Sequence, residues 1–248
     1  MPDAGKVAEH CEKVSAQREG GCAFLLGALD LAGAKLGEEF FYQSLPLCVL
    51  DAVWSVGTTR EITAEVVGKY CNFFGLRMTR RGGETLPSKS AQESIAQFVR
   101  TVSAFRAEGS AMEIFENAQK TSSKGGILKS QAAIEFGKIL SAHKVNHFQD
   151  LPKVVDDAAF EEKIKAIPGL ADGASLARFF LLAGSDDLIK PDSAVIVFLE
   201  KALAKKLNPK EAASLLVETT SRLKKKHPHL TPRLLAQAIT ASQTKRGR

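Results

Sequence analysis

No CxxC pair occurs anywhere in this chain. Its four cysteines, Cys11, Cys22, Cys48 and Cys71, all fall in the first third. That pattern excludes a cysteine-rich zinc or iron–sulfur site as a first reading. Cys48 sits in an apolar run and is expected to be a small core residue. Long hydrophobic runs are also lacking. None approaches the roughly 20 residues that cross a bilayer, so no membrane span is expected. Alternating strand patterns are nearly absent, and no fixed-period repeat is evident. The stretch "GGILKSQAAIEF" lacks the Gly-Lys-Ser/Thr order of a phosphate-binding Walker loop. No GxSxG elbow and no HExxH element occurs. No basic-then-apolar segment opens the chain, so the reducing cytoplasm is the expected location.

What remains is ordinary globular composition. The chain has 248 residues, 44% hydrophobic and 25% charged. That length suffices for one large domain or two small ones. The formal net charge is +6, from 34 Lys and Arg against 28 Asp and Glu. Such a balance permits a nucleic-acid partner without requiring one. The charge is uneven: the tail carries "RLKKKHPH" and "KRGR", whereas 156–162 reads "DDAAFEE".

Helical signals dominate. "ESIAQFVRTVSAF" sets Ile95, Phe98, Val99, Val102 and Phe105 at 3.6-residue spacing. "QAAIEFGKIL", "DSAVIVFLEKALAKKL" and "PKEAASLLVETTSRL" behave similarly. Thr231 is placed to cap a helix that has Pro232 at its first position. Gly75 is a candidate C-cap. "EHCEKVSAQREGGCAFLLGALDLA" reads as one or two helices broken at Gly20 and Gly21. The fold class expected is all-α, with roughly ten helices. The expected organisation is one bilobal helical domain over 1–240, with approximate lobes 30–155 and 156–240 plus the N-terminal helices. A basic tail follows at 241–248.

"IPGLADGASLARFFLLAGSDDLIKPDSAV", residues 167–195, carries the most specific pattern. Pro168 and Gly169 end one short helix and allow a tight turn. Leu170 can plug the hairpin from inside, and "GASLARFFLLAG" is the second helix. Such a turn exposes backbone amides before a helix start, where an anion is favoured. It is equally an ordinary helix–turn–helix connection. Pro191 keeps Lys190 out of helical conformation. Asp192 then stands where a helix N-cap belongs. The same carboxylate could stabilise a developing sugar cation or orient water.

This segment resembles the helix-hairpin-helix DNA glycosylase superfamily (HhH-GPD, base-excision repair), in a divergent bacterial branch. The match rests on Pro168, Gly169 and Leu170 for the hairpin and on Asp192 for the spaced aspartate. "AVWSVGTTREITAEVV" is similar to the family's buried helix, its Ser-x-x-Thr-Thr loop and the helix after it, through Ser55, Thr58 and Thr59. The resemblance covers roughly residues 40–245.

It implies a bilobal helical DNA-glycosylase-like fold and a monomer that binds double-stranded DNA. The activity it implies is monofunctional N-glycosylase chemistry on a damaged base. Asp192 would be the catalytic residue. Gly169, Leu170, Ala171, Gly173, Lys190, Thr58 and Thr59 would face DNA. A flipped base would need an aromatic pocket, for which Trp54 and Tyr42 are the candidates. The hairpin could hold a monovalent cation. No other metal and no iron–sulfur cluster is expected, since no cysteine follows Cys71. Four positions depart from the family pattern. Ala171 replaces the hairpin's second glycine, and Gly173 stands where bifunctional members have a lysine nucleophile. Asp172 adds negative charge beside the turn, and Gly57 replaces a gap-filling glutamine. The alternative is therefore a catalytically inactive member that binds DNA or a protein partner.

Other polar residues give weaker signals. His143 and His147 have helical i,i+4 spacing but no carboxylate to complete a metal site. Arg178 lies among apolar residues and must snorkel or pair. Two basic groups, Arg77, Arg80 and Arg81 in one and Arg222 and Lys224–Lys226 in the other, are candidate phosphate contacts or solvated faces.

Overall fold

A computed structural model describes residues 2–19, 29–80, 86–184 and 189–244. Gly20, Gly21, Cys22, Arg81 and the terminal 245–248 lie outside the described residues. In chain order the helices are α1 (Pro2–Glu19), α2 (Leu45–Trp54), α3 (Arg60–Phe74), α4 (Ile95–Ser103), α5 (Arg106–Gly109), α6 (Lys129–Ala142), α7 (Ala158–Lys165), α8 (Ala174–Ala183), α9 (Ser193–Leu203), α10 (Pro209–Leu223) and α11 (Pro232–Thr244). Among the described residues there is no strand, only two isolated bridges, Tyr42 to Thr79 and Lys120 to Leu128. The protein is all-α. None of its described helices is long and apolar enough to cross a membrane.

The chain divides into two compact units. One is contiguous, 37–183, and the other joins 1–36 with 184–248. The break falls after Ala183 because α7 packs on α6, and α8 packs on α2. The acidic stretch "DDAAFEE" marks the start of α7, where the Asp157 side chain accepts the Phe160 amide. Its Phe160 is fully buried.

The 37–183 unit is built around α2. All ten of its residues are buried, as suits a helix that is apolar on every side. Helices α3, α6 and α8 pack against it, and α4 lies on α6. Aromatic rings fill the spaces: Trp54 meets Phe115 at 4.7 Å and Phe136 meets Phe179 at 5.1 Å. The predicted period of α4 holds for Ile95, Phe98 and Val102, which are buried. Gly75 ends α3 in the left-handed conformation, φ 63°, a backbone that glycine adopts without a Cβ clash.

In the other unit, α1 packs on α9 and α10, and α11 packs on the same two helices. Ala4, Val7, Cys11, Phe198, Leu216 and Leu235 are among its buried residues. Thr231 Oγ1 accepts the Leu234 amide at 3.2 Å, the cap its position predicted. Helix α11 then continues to Thr244, through half of the expected tail.

Candidate functional site

The turn between α7 and α8 is made by its glycines. Gly169 has φ 85° and Gly173 has φ 75°, left-handed values that other residues reach only at a cost. Ala171 is not among the residues with positive φ, so a side chain there is compatible with the turn. The Leu170 amide donates to Ile167 O at 3.0 Å and the Gly173 amide to Leu170 O at 3.1 Å. Leu170 is fully buried, while Pro168, Ala171 and Asp172 are exposed. Leu170 thus plugs the hairpin as its position predicted. Asp172 Oδ1 accepts the Ala174 amide at 3.0 Å, so its carboxylate already occupies one donor at the start of α8.

Gly169 has a second reason to lack a side chain. Thr121 Oγ1 donates to Pro168 O at 2.7 Å. A Cβ on Gly169 would stand 2.3 Å from that hydroxyl. The polar loop before α6 is therefore seated against the turn. For a monovalent cation the turn offers the backbone oxygens of Ile167 and Leu170, each accepting one amide. Oxygen is the ligand type that hard cations take.

Asp192 lies in the other unit, at the start of α9. Its Oδ1 accepts the Val195 amide at 2.8 Å and its Oδ2 accepts the Thr240 hydroxyl at 2.9 Å. Both carboxylate oxygens are engaged, one by its own helix and one by α11. The side chain is half-buried, as is Lys190 two residues earlier.

The remaining predicted site residues belong to the 37–183 unit. Thr58 donates to Trp54 O at the end of α2, and Thr59 Oγ1 accepts the Ile62 amide at the start of α3. Trp54 is fully buried, and its Nε1 has no acceptor among the described residues. Tyr42 is buried and donates to Asp51 Oδ2 at 2.8 Å. Burial, then the Asp51 carboxylate, push the Tyr42 phenol well above its ordinary value. Two surface depressions adjoin the α9–α10 junction, lined in part by Lys205, and neither is lined by Asp192, Trp54 or Tyr42.

Sequence reasoning missed two buried polar groups and a half-buried one. Asp51, in the middle of α2, pairs with Arg178 on α8 at 2.8 Å. Burial alone would pull the Arg178 guanidinium down; Asp51 and Glu39 outweigh it and hold it above its ordinary value. A lone carboxylate in "LPLCVLDAVW" is the signal that such a partner must exist. Lys129 is fully buried and donates to Trp54 O at 3.0 Å and Val56 O at 2.7 Å. It sits at the C-terminal end of α2, where a cation is favoured. Burial pulls its amine down to about 8. Burial likewise pushes the Glu93 carboxyl up to about 7, against the lowering effect of the Tyr70 hydroxyl that it accepts at 2.7 Å.

Helix α6 stops at Ala142, so His143 and His147 do not share a helical face. His143 Nδ1 lies 3.0 Å from Asp157 Oδ2, and Asp150 Oδ2 accepts the His147 amide at 3.2 Å. Among the described residues no group of three or more His, Cys, Asp or Glu side chains converges on a metal position.

These elements define an all-α protein of two compact units with a glycine-pinned hairpin on its surface. The chain belongs to the family described as "Domain of unknown function (DUF8548)", whose model matches residues 18–244. No curated protein and no solved structure matches it.

Proposed function

We propose that this chain is a DNA-binding protein of the base-excision type that holds the duplex backbone at the Pro168–Gly173 turn. The observation that carries the reading is the turn itself. It is exposed at its apex, pinned by two left-handed glycines, and leads directly into the ten-residue helix α8. Backbone amides and the helix dipole at such a place favour a phosphate oxygen. The positive net charge supports the same partner.

Base release is the activity carried with this reading, as a monofunctional N-glycosylase with Asp192. A carboxylate at such a place can stabilise an oxocarbenium-like sugar. The two hydrogen bonds that Asp192 accepts favour a second reading, a non-catalytic member that binds DNA, because they give it a sufficient structural role.

One experiment separates these readings. Purified protein is titrated with duplexes carrying a panel of damaged bases, at about 50 and 200 mM salt. Base release is then read by alkaline strand cleavage. Salt-sensitive binding with release that Asp192→Asn abolishes is the expected glycosylase result. Asn is itself a good N-cap, so that variant keeps its helix start. Binding without release establishes the second reading, and no binding at low salt overturns both.

A further inference from the structure

Residues 105–116 read "FRAEGSAMEIFE". Ile114 and Phe115 are buried, but Met112 is 65% exposed, and Phe73 at the end of α3 is 47% exposed. Single exposed hydrophobics are ordinary. These two lie on elements that pack together, α3 and the Ser110–Ile114 turn. The Phe73 ring lies 4.9 Å from Phe74 and 5.7 Å from Phe105. A methyl group on Gly109 would stand 3.7 Å from Phe105 Cβ and 3.6 Å from Glu113 Oε1. The Ser110–Ile114 segment is a π turn and carries Met112.

The backbone is held in a costly form to make this surface. Arg106 has φ 56° and Glu116 has φ 45°. Neither is glycine, and each left-handed residue costs about 1 kcal/mol. Between them the helix widens into the π turn, a feature that recurs where a helix serves a function. The outcome is an exposed thioether on a turn that packs against α3. Methionine is the side chain that adapts best to a varied apolar partner.

The charge here is opposite to that of the whole molecule. The 105–116 segment has Glu108, Glu113 and Glu116 against Arg106 alone. On α3, Lys69 is shared by Glu65 at 2.7 Å and Glu116 at 3.0 Å. In a chain of net charge +6, this is a locally acidic apolar surface. Phosphates would be repelled from it, so it is not part of the duplex contact. Lysine and arginine flanking apolar anchors would be attracted.

We propose that Phe73, Phe105 and Met112 form a docking surface for a basic, amphipathic helical segment of another protein. Apolar side chains at helical spacing would cover the two exposed residues, and flanking cations would meet Glu108, Glu113 and Glu116. The inference is independent of the DNA reading, since it uses none of the hairpin residues.

The chain has three methionines, Met1, Met78 and Met112, so one variant, Met112→Leu, identifies the Met112 methyl in its methyl-labelled methionine spectrum. The full chain is titrated with a synthetic helix of leucines and lysines at heptad spacing, and separately with its glutamate counterpart. The lysine peptide is expected to move the Met112 methyl and leave the other methionine methyls in place. Added salt should weaken binding, and Phe73→Gln should weaken it about tenfold. Both substitutions are at exposed positions, and a thermal melt checks that the fold is retained. The proposal is overturned by an unmoved Met112 methyl or by equal response to both peptides. It is also overturned by a Met112 shift that follows protein concentration alone, which would make a second copy the occupant.

Discussion

Arg178 and Asp51 meet across 127 positions of sequence: Nε donates to Oδ1 at 2.8 Å and a terminal nitrogen to Oδ2 at 3.3 Å. The pair joins α8, and with it the hairpin, to the buried α2. Removing Asp51 leaves the largely desolvated Arg178 guanidinium with only the longer contact to Glu39, at 3.9 Å. Asp51→Ala is expected to cost about 3 kcal/mol or more in urea unfolding. The double replacement Asp51→Leu with Arg178→Met should recover most of that loss, because a well-packed apolar pair avoids the desolvation cost. A double variant no more stable than Asp51→Ala would refute this account.

Lys129 makes stability depend on pH in a definite direction. Its amine is near 8 in the folded chain, against about 10.4 for an unfolded lysine. Between those values the unfolded chain binds more protons, so this group makes stability rise with pH. Below pH 8 its full penalty is present, and above the unfolded value it is gone. The thiols of Cys11 and Cys71, pushed up to about 12 by burial, act oppositely above their ordinary value. The wild type is therefore compared with Lys129→Gln. Their stability difference should shift in favour of the wild type by roughly 3 kcal/mol between pH 7 and 11. A difference independent of pH would show that Lys129 titrates normally.

Gly169 faces both a φ of 85° and the Thr121 hydroxyl. Gly169→Ala should destabilise the chain by about 2 kcal/mol or more. In a Thr121→Gly background the two side-chain collisions disappear, so the cost should fall, leaving the 3.0 Å approach to the residue 121 backbone carbon and the backbone cost of about 1 kcal/mol. Equal costs in the two backgrounds, measured by denaturant unfolding, would mean that the loop before α6 does not constrain the turn.

Asp172 presents a carboxylate at the place where the hairpin would meet a phosphate. Asp172→Asn keeps the Oδ1 acceptor for the Ala174 amide while removing the charge. If the turn holds duplex DNA, affinity at low salt should rise severalfold, by roughly 1 kcal/mol for one removed repulsion. Fluorescence anisotropy with a labelled duplex reads this directly. Unchanged affinity would place the DNA contact elsewhere on the chain.

Local signals in the sequence were dependable where a few adjacent residues decide the outcome. The period of Ile95, Phe98 and Val102 specified the buried face of α4. Thr231 with Pro232 specified the start of α11, and Asp192 specified the start of α9. Each depends on contacts within one or two turns. Partners from distant segments could not be read the same way. Asp51 in an apolar run announces that it must be paired, but nothing local names Arg178. Asp192 announces a cap, but Thr240 on α11 comes to it only through packing. Aromatic residues are similarly ambiguous, since Trp54 and Tyr42 have the chemistry to stack on a base and lie inside the core. The unit boundary after Ala183 depends on α7 and α8 finding α6 and α2, whereas hydropathy marks only the acidic surface of α7.

One unit is continuous in the chain and the other is assembled from both ends, with Lys226 reaching Glu12 at 2.7 Å. During synthesis, at roughly 5–20 residues per second, the continuous 37–183 segment can finish folding as soon as it emerges. Helix α1, made before α9 and α10, must wait for them with Ala4, Val7 and Cys11 uncovered. The apolar face of α1 is thus synthesised well before the helices that bury it.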